Sequence, residues 1–372
     1  MMKRHGNEQV VENASAIGRF FSKLKDMELL PDECTRKEEK VLRFVDAETG
    51  LTFFLGVHSL GNGVTFGGVR LLPNGMERAG LRDALRLSEA MTHKLSMIGE
   101  PYGGSKMVVL PSESGKSEVV LHRIGEYVEA MNGSFITAID FGFEPEDALK
   151  IREKTKHLLG FDGPGSIGAS GVTTAIGAFR GIKVLLEEAF GSPRITGRSF
   201  AIQGMGSVGK KLAELLLEHG GRIFISDTDS KRLRPFESIA QATVTEPDDL
   251  LFVGADVLCP SGPGCVISQQ TIPKLRSRII AGVANCVLEN EVRDDLLLKE
   301  KNILFAPDFV LNAGGVIQGI AEYKGKEDLK DAVDRLPLIQ KNLRAVFKRS
   351  RERNIGSMAA AKELSKLRRI TR

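Results

Sequence analysis

The stretch RSFAIQGMGSVGKKLAELLLEHGG constrains this chain most. A strand-like apolar run (SFAIQ) enters GMGSVG, which is Gly204, Met205, Gly206, Ser207, Val208 and Gly209, and a helical pattern leaves it. Two of the glycines allow a tight turn and close approach of backbone to a pyrophosphate, and the third lets helix and strand pack closely. Asp227 ends the next apolar strand, about twenty residues on, where an acid holds a ribose hydroxyl. This order predicts a doubly wound, Rossmann-type sheet that binds a dinucleotide. Gly204, Gly209 and Lys210 also satisfy G-x-x-x-x-G-K, but Lys211 stands where Ser or Thr would bind magnesium, which disfavours an ATPase or GTPase. Asp227 and Asp229 repel a 2′-phosphate and so favour NAD over NADP, with Lys231 and Arg232 acting against that preference.

From Gly171 onward strands and helices alternate. The runs RIFISD, DVLCP, IIAGVAN and ILFAPDFVLN read as continuous apolar strands, hence a parallel sheet covered on both faces. Ahead of it, residues 40–72 have strand-and-hairpin texture. Between Glu77 and Ile98 the period becomes helical, with Leu87, Met91, Lys94 and Ile98 on one face and Arg86, Glu89 and His93 elsewhere. MVVL (Met107–Leu110) reads as a short buried strand, and SFITAID as a strand ending at Asp140. The Gly-rich HLLGFDGPGSIGASG reads as a hinge. The expectation is an α/β chain of two domains with a cleft between them. Residues 1–162 form a substrate, catalytic and oligomerisation domain, and residues 163–339 an NAD-binding Rossmann domain. The helical segment at about 340–372 is free to pack back on the first domain.

The net charge of +4 over 372 residues gives no reason to expect nucleic acid. No apolar run is long enough for a membrane span, and the basic start lacks the apolar core of a signal peptide. Cys34, Cys259, Cys265 and Cys286 form no C-x-x-C pair, which reads as reduced thiols in a cytoplasm. The six histidines show no ligand spacing, so no metal is expected.

Lys94, Lys106 and Asp140 all precede the nucleotide-binding pattern, each at an element end or on an inward stripe. Two ammonium groups in one cleft lower each other's pKa from about 10.4, and values of roughly 7–8 suit general acid–base work. A nearby carboxylate opposes that drop and relays protons.

The segments FGGVR, DALRLSEAMTHKLSMIGEPYGGSKMVVL, NGSFITAID, QGMGSVGK, IIAGVANCVLEN and APDFVLNAGGVI together resemble the Glu/Leu/Phe/Val amino-acid dehydrogenases, specifically the leucine, phenylalanine and valine branch. The likeness runs in order from about residue 50 to 320. It implies NAD-dependent oxidative deamination to a 2-oxo acid and ammonia, the reverse amination, domain closure and a homo-oligomer. It implies Lys94 as the grip on the substrate carboxylate, Lys106 as the general base and Asp140 as the acid that holds the amine and shuttles protons. Gly67, Gly68 and Arg70 match a glycine-lined wall, Asn285 an asparagine on the carboxylate and Thr173 a threonine near the nicotinamide amide. Cys259, Pro260, Ala284, Asn285 and Asn312 complete the implied cofactor set. On this reading Gly103 and Gly104 let backbone approach the substrate. Ser105 replaces a usual third glycine and crowds the site, Cys286 replaces an asparagine and Gly171 a proline.

Phe66 stands where glutamate dehydrogenases resemble one another in carrying a lysine for the distal carboxylate, so glutamate is expected to be rejected. Ile139 replaces an acid common in leucine dehydrogenases, and Met91 and Val316 are expected in the pocket too. Gly319 opens space and Phe66 closes it. The expected substrate is an apolar L-amino acid, leucine-like first and phenylalanine or tryptophan second. A non-catalytic NAD-binding sensor is the rival class.

Overall fold

The computed structural model describes residues 27–29, 40–72, 76–110, 115–262 and 264–370. The basic N-terminal stretch, Cys34 and Arg372 lie outside them. The chain divides into two compact units, Met1–Ala169 and Ser170–Arg372.

The first unit is built on a mixed sheet of β1 (Met27–Leu29), β2 (Lys40–Val45), β3 (Thr52–Val57), β4 (Thr65–Leu71), β5 (Gly103–Leu110) and β6 (Phe135–Ile139). Its order is β1-β2-β3-β5-β4-β6. The pairs β1–β2, β2–β3 and β3–β5 are antiparallel, while β4 lies between β5 and β6 and is parallel to both. Helix α1 (Glu77–Met97) covers one face, where Val41, Phe54, Val108 and Leu110 meet Ala84. Helices α2 (Glu118–Ala130) and α3 (Pro145–Arg152) cover the other, where Phe44, Phe53, Leu55, Val57, Val69, Met107 and Val109 meet Ile124, Val128 and Ile151. The alternation of side chains along each strand therefore sorts residues between two separate cores.

Two expectations change here. Strand β5 begins at Gly103, not Met107, and all eight of its residues are buried, so Lys106 sits in mid-strand. The C-terminal half of α1 is buried without a break from Thr92 to Met97, so His93 is enclosed along with Lys94. The narrow apolar stripe understated the helix because buried polar side chains (Ser88, Thr92, His93) carry no hydrophobic signal.

The second unit holds a parallel sheet of order β12-β11-β10-β7-β8-β9. After helix α4 (Gly171–Phe190) come β7 (Ser199–Gln203), α5 (Ser207–Glu218), β8 (Arg222–Ser226), β9 (Ala242–Val244), β10 (Val257–Pro260) and β11 (Ile279–Ile280). Then follow α6 (Glu291–Glu300), β12 (Leu304–Phe305), α7 (Asp308–Leu311), α8 (Gly314–Tyr323), α9 (Pro337–Arg353) and α10 (Ser357–Ile370). Reversal of strand order at β7 and β10 is the doubly wound arrangement. The runs IIAGVAN and ILFAPDFVLN keep only two strand residues each, and the second turns helical after Pro307. Proline removes a ladder donor and suits a helix start. Helix α9 packs on α4, and α10 on α6 and α9. Asp295 of α6 fastens α10 by accepting from the Met358 and Ala359 N–H groups, both at 3.1 Å.

In the first unit α1 approaches β5 so closely that a Cβ on Gly104 would lie 2.2 Å from the Thr92 nitrogen. Gly104 is therefore required by helix–sheet contact rather than by access to a ligand. Gly104→Ala should lower unfolding stability by about 1–3 kcal/mol, measured by denaturant titration, because backbone rather than a flexible side chain must move.

Candidate functional site

In the first unit Lys106 comes from β5 and Asp140 follows β6, so β4 lies between them. The Lys106 ammonium donates to Asp140 Oδ2 across that strand. They meet because Gly68 has no side chain: a Cβ there would stand 2.8 Å from Lys106 Nζ and 3.1 Å from Asp140 Cβ. Arg70, two residues along β4 on the same face, donates from Nε to the same Asp140 oxygen at 3.1 Å. Burial would raise the Asp140 carboxyl, but the charges of Lys106 and Arg70 outweigh it and hold the group well below the usual carboxylate range. Asp140 is thus an ionised acceptor.

Lys94 is buried in the last turn of α1, where a cation also meets the negative end of the helix dipole. Phe66 is buried on β4 with its ring centroid 4.8 Å from that of Tyr102, and Met91 is half-buried on α1. Gly67 faces the other way, its missing side chain replaced by the Ser105 carbonyl. Ile139 also faces the other way and packs against the core beneath α2 and α3, so strand alternation parts it from Asp140. The reading of Ile139 as pocket lining gives way to a core role.

Ser105 likewise shares its sheet face with Met107, opposite Lys106. It is fully buried, and its hydroxyl finds no hydrogen-bond partner among the described residues. The expectation that it crowds the lysine is corrected: its burden falls on stability.

In the second unit the glycine loop opens α5. Gly204 takes φ +90°, and a Cβ on Gly209 would lie 2.0 Å from the Gly204 carbonyl oxygen. Space beside Gly206 is open to 4 Å, where a phosphate can approach the first N–H groups of the helix, Ser207 and Val208 among them. Asp227 accepts from the Met205 N–H at 2.7 Å and the Asp229 N–H at 2.8 Å, with Arg232 at 3.6 Å. Pro260 ends β10, and its carbonyl accepts from the Ala284 N–H at 3.1 Å. Asn312 donates from Nδ2 to the Val283 carbonyl and to Asn285 Oδ1, at 3.1 and 3.2 Å. The Asn312 Oδ1 atom is buried without a donor among the described residues. Cys259 lies wholly inside the sheet, its thiol pushed up to about 12 by burial, so only its backbone faces the loops.

Thr173 is fully buried, with its hydroxyl 2.9 Å from the Ser170 carbonyl and 2.8 Å from Gln318 Oε1. Val316 and Gly319 share a half-buried face of α8, and space around Gly319 is open to 4 Å. Cys286 is buried at φ +60°, and Gly171 lies against the Ser207 side chain.

Sequence reasoning passed over Asp83, Tyr102 and Gln318. Asp83 carried a signal, since it lies one helical step before Leu87 on the stripe through Met91 and Lys94. Among the described residues Glu118, His122 and Glu153 bring ligand atoms within 4.8 Å of one another. Lys150 already balances them, 3.0 Å from Glu118 and 3.1 Å from Glu153.

A family model described as "Glu/Leu/Phe/Val dehydrogenase, dimerisation domain" matches residues 40–157, and one for "Glutamate/Leucine/Phenylalanine/Valine dehydrogenase" matches residues 225–368. An L-tryptophan dehydrogenase of Nostoc punctiforme is 36% identical over 315 residues, 84% of this chain and 87% of that one. A crystal structure of L-tryptophan dehydrogenase from that organism superposes with a TM-score of 0.72 at 34% identity, covering 89% and 95% of the two chains. A phenylalanine dehydrogenase of Caldalkalibacillus thermarum is 32% identical over 88% of this chain and 90% of its own, and a leucine dehydrogenase of Bacillus cereus is 32% identical over 88% and 89%.

Because the Ser105 hydroxyl is buried and faces away from Lys106, Ser105→Ala should raise stability by about 1 kcal/mol. Turnover should stay unchanged, as read by thermal unfolding beside a rate assay.

Proposed function

This chain belongs to the Glu/Leu/Phe/Val dehydrogenase family and acts on the CH–NH2 group of amino acids; from that premise we propose that it oxidises an apolar L-amino acid, leucine-like first, using NAD. The products are a 2-oxo acid, ammonium and reduced cofactor, and the reverse amination runs through the same groups. The observation that carries the reading is the buried Lys106 meeting the half-buried Asp140 over Gly68, with Phe66 on the same strand face. Glutamate would press a carboxylate against the Phe66 and Tyr102 rings, and stripping that charge of water costs several kcal/mol, on the order of 5.

Lys94 takes the substrate carboxylate as a point charge. Asp140 accepts from the substrate amine and draws the nitrogen into line. Lys106, once neutral, takes a proton from the water that attacks the iminium carbon, and that proton passes by way of Asp140 to the nitrogen as the C–N bond breaks and ammonia leaves. Met91 and Phe66 of the first unit receive the apolar side chain. Similarity to an L-tryptophan and a phenylalanine dehydrogenase supports a second reading, in which the side chain is aromatic.

NAD, when bound, accepts the hydride from the α-carbon. The residues present fit it: backbone from Gly204 to Gly209 for the pyrophosphate, Asp227 for the ribose hydroxyls, and Pro260 and Ala284 as backbone wall. The orphan Asn312 Oδ1 matches a carboxamide N–H donor, and Thr173 shapes the same end through its bond to Gln318. Asp227 supports NAD over NADP, since a 2′-phosphate would face its carboxylate. The dimerisation description of residues 40–157 supports a homo-oligomer. No helix among the described residues is long and apolar enough to cross a membrane.

Rates on leucine, valine, phenylalanine, tryptophan and glutamate with each cofactor test the reading. Fastest turnover on glutamate, or with NADP, would refute it. Lys106→Ala should lower kcat by roughly 100- to 10,000-fold while NAD affinity holds; silence of the unsubstituted chain across the panel, with NAD bound, would point to the sensor.

A further inference from the structure

Arg70 does more than line a wall. Its Nε donates to Asp140 Oδ2, the oxygen that Lys106 also uses. Its Nη1 lies 3.6 Å from Asp83 Oδ2 on α1, and Asp83 in turn accepts from Arg86 at 3.1 Å. The result is a ladder of alternating charge, Arg86–Asp83–Arg70–Asp140–Lys106, that starts on α1 and ends on β5. Arg70 and Asp83 expose only 13% and 12% of their side chains, so solvent screens the middle of the ladder weakly.

We propose that Arg70, backed by Asp83, is a positioning residue that aims Asp140 at the substrate amine and decides how readily Lys106 releases its proton. The assignment rests on the deamination reading above. Arg70 and Lys106 both donate to Asp140 Oδ2, so the Arg70 contact fixes the rotation of that carboxylate. Arg70 acts on Lys106 in two ways of one sign. It is a like charge nearby, and it shares the carboxylate that would otherwise bind the ammonium alone. Both ease loss of the lysine proton. Asp83 has the opposite effect, because it neutralises part of the Arg70 charge. The facing charged groups are Lys106 of β5, Asp140 after β6, and Asp83 and Arg86 of α1. Other titratable groups on this side of the sheet, among the described residues, include His93 with its partner Glu89, Lys94 and the Glu77–Arg43 pair at α1, Tyr102 beside Phe66, and His58 after β3.

The test is the pH profile of kcat/KM for deamination, whose rising limb reports Lys106 losing its proton in the free enzyme. The ionisation of the substrate amine is common to every variant and cancels in comparison. Arg70→Gln should move the rising limb up by about one pH unit, and Asp83→Asn should move it down by about half a unit. Arg70→Lys keeps the charge and should leave the limb near its place, yet lower kcat because an ammonium cannot fork between two carboxylates. A purely structural role would not shift the two limbs in opposite directions. If Arg70→Gln does not fold, the downward shift in Asp83→Asn and the split in Arg70→Lys carry the test. Limbs that stay still, or that move together, overturn this assignment while leaving the activity standing. An unsubstituted enzyme that turns over no amino acid overturns the activity and the assignment with it.

Discussion

A lysine and an aspartate on two strands that do not touch are joined over the glycine of the strand between them. Neighbouring strands lie about 4.8 Å apart, so side chains two strands away meet only if nothing rises from the middle one. Gly68 supplies that gap, and parallel pairing of β4 with both β5 and β6 brings Lys106 level with Gly68 and Asp140 just beyond it, beside Arg70. Once the ammonium is enclosed it needs its partner, because a buried lysine without one is strongly disfavoured. The fully buried β5 and the close seat of α1 at Gly104 hold the lysine in that enclosure.

Strand alternation then decides which neighbours matter. Gly68, Arg70, Lys106 and Asp140 share one face; Gly67, Ser105 and Ile139 share the other with the core under α2 and α3. Adjacency in sequence thus misleads by one residue each time. Ser105 next to the lysine and Ile139 next to the aspartate belong to packing, whereas Asp83, far away in sequence, reaches the aspartate through Arg70.

The second unit shows the same economy of contacts. Asn312 spans Val283 and Asn285 while keeping one oxygen unmatched, and Asp227 grips the glycine loop through the Met205 N–H. The loop is therefore held in its turn by the acid expected to meet the ribose, which couples loop shape to that carboxylate.

Sequence alone determined the order of elements and the dinucleotide loop with its acid, because these lie in local patterns of period 3.6 and 2 and in glycine spacing. It singled out Lys94, Lys106 and Asp140 only by their place at element ends or on an inward stripe, and their roles rest on the family resemblance. It misjudged the start of β5, the lengths of β11 and β12 and the enclosure of His93, where burial of polar residues or a proline overrode the apolar signal. Tertiary structure alone decided that Lys106 and Asp140 pair across β4, that Arg70 bridges to Asp83, and that Ser105 and Ile139 turn away. Strand order and register bring those residues together, and neither is written in the spacing of residues along one chain.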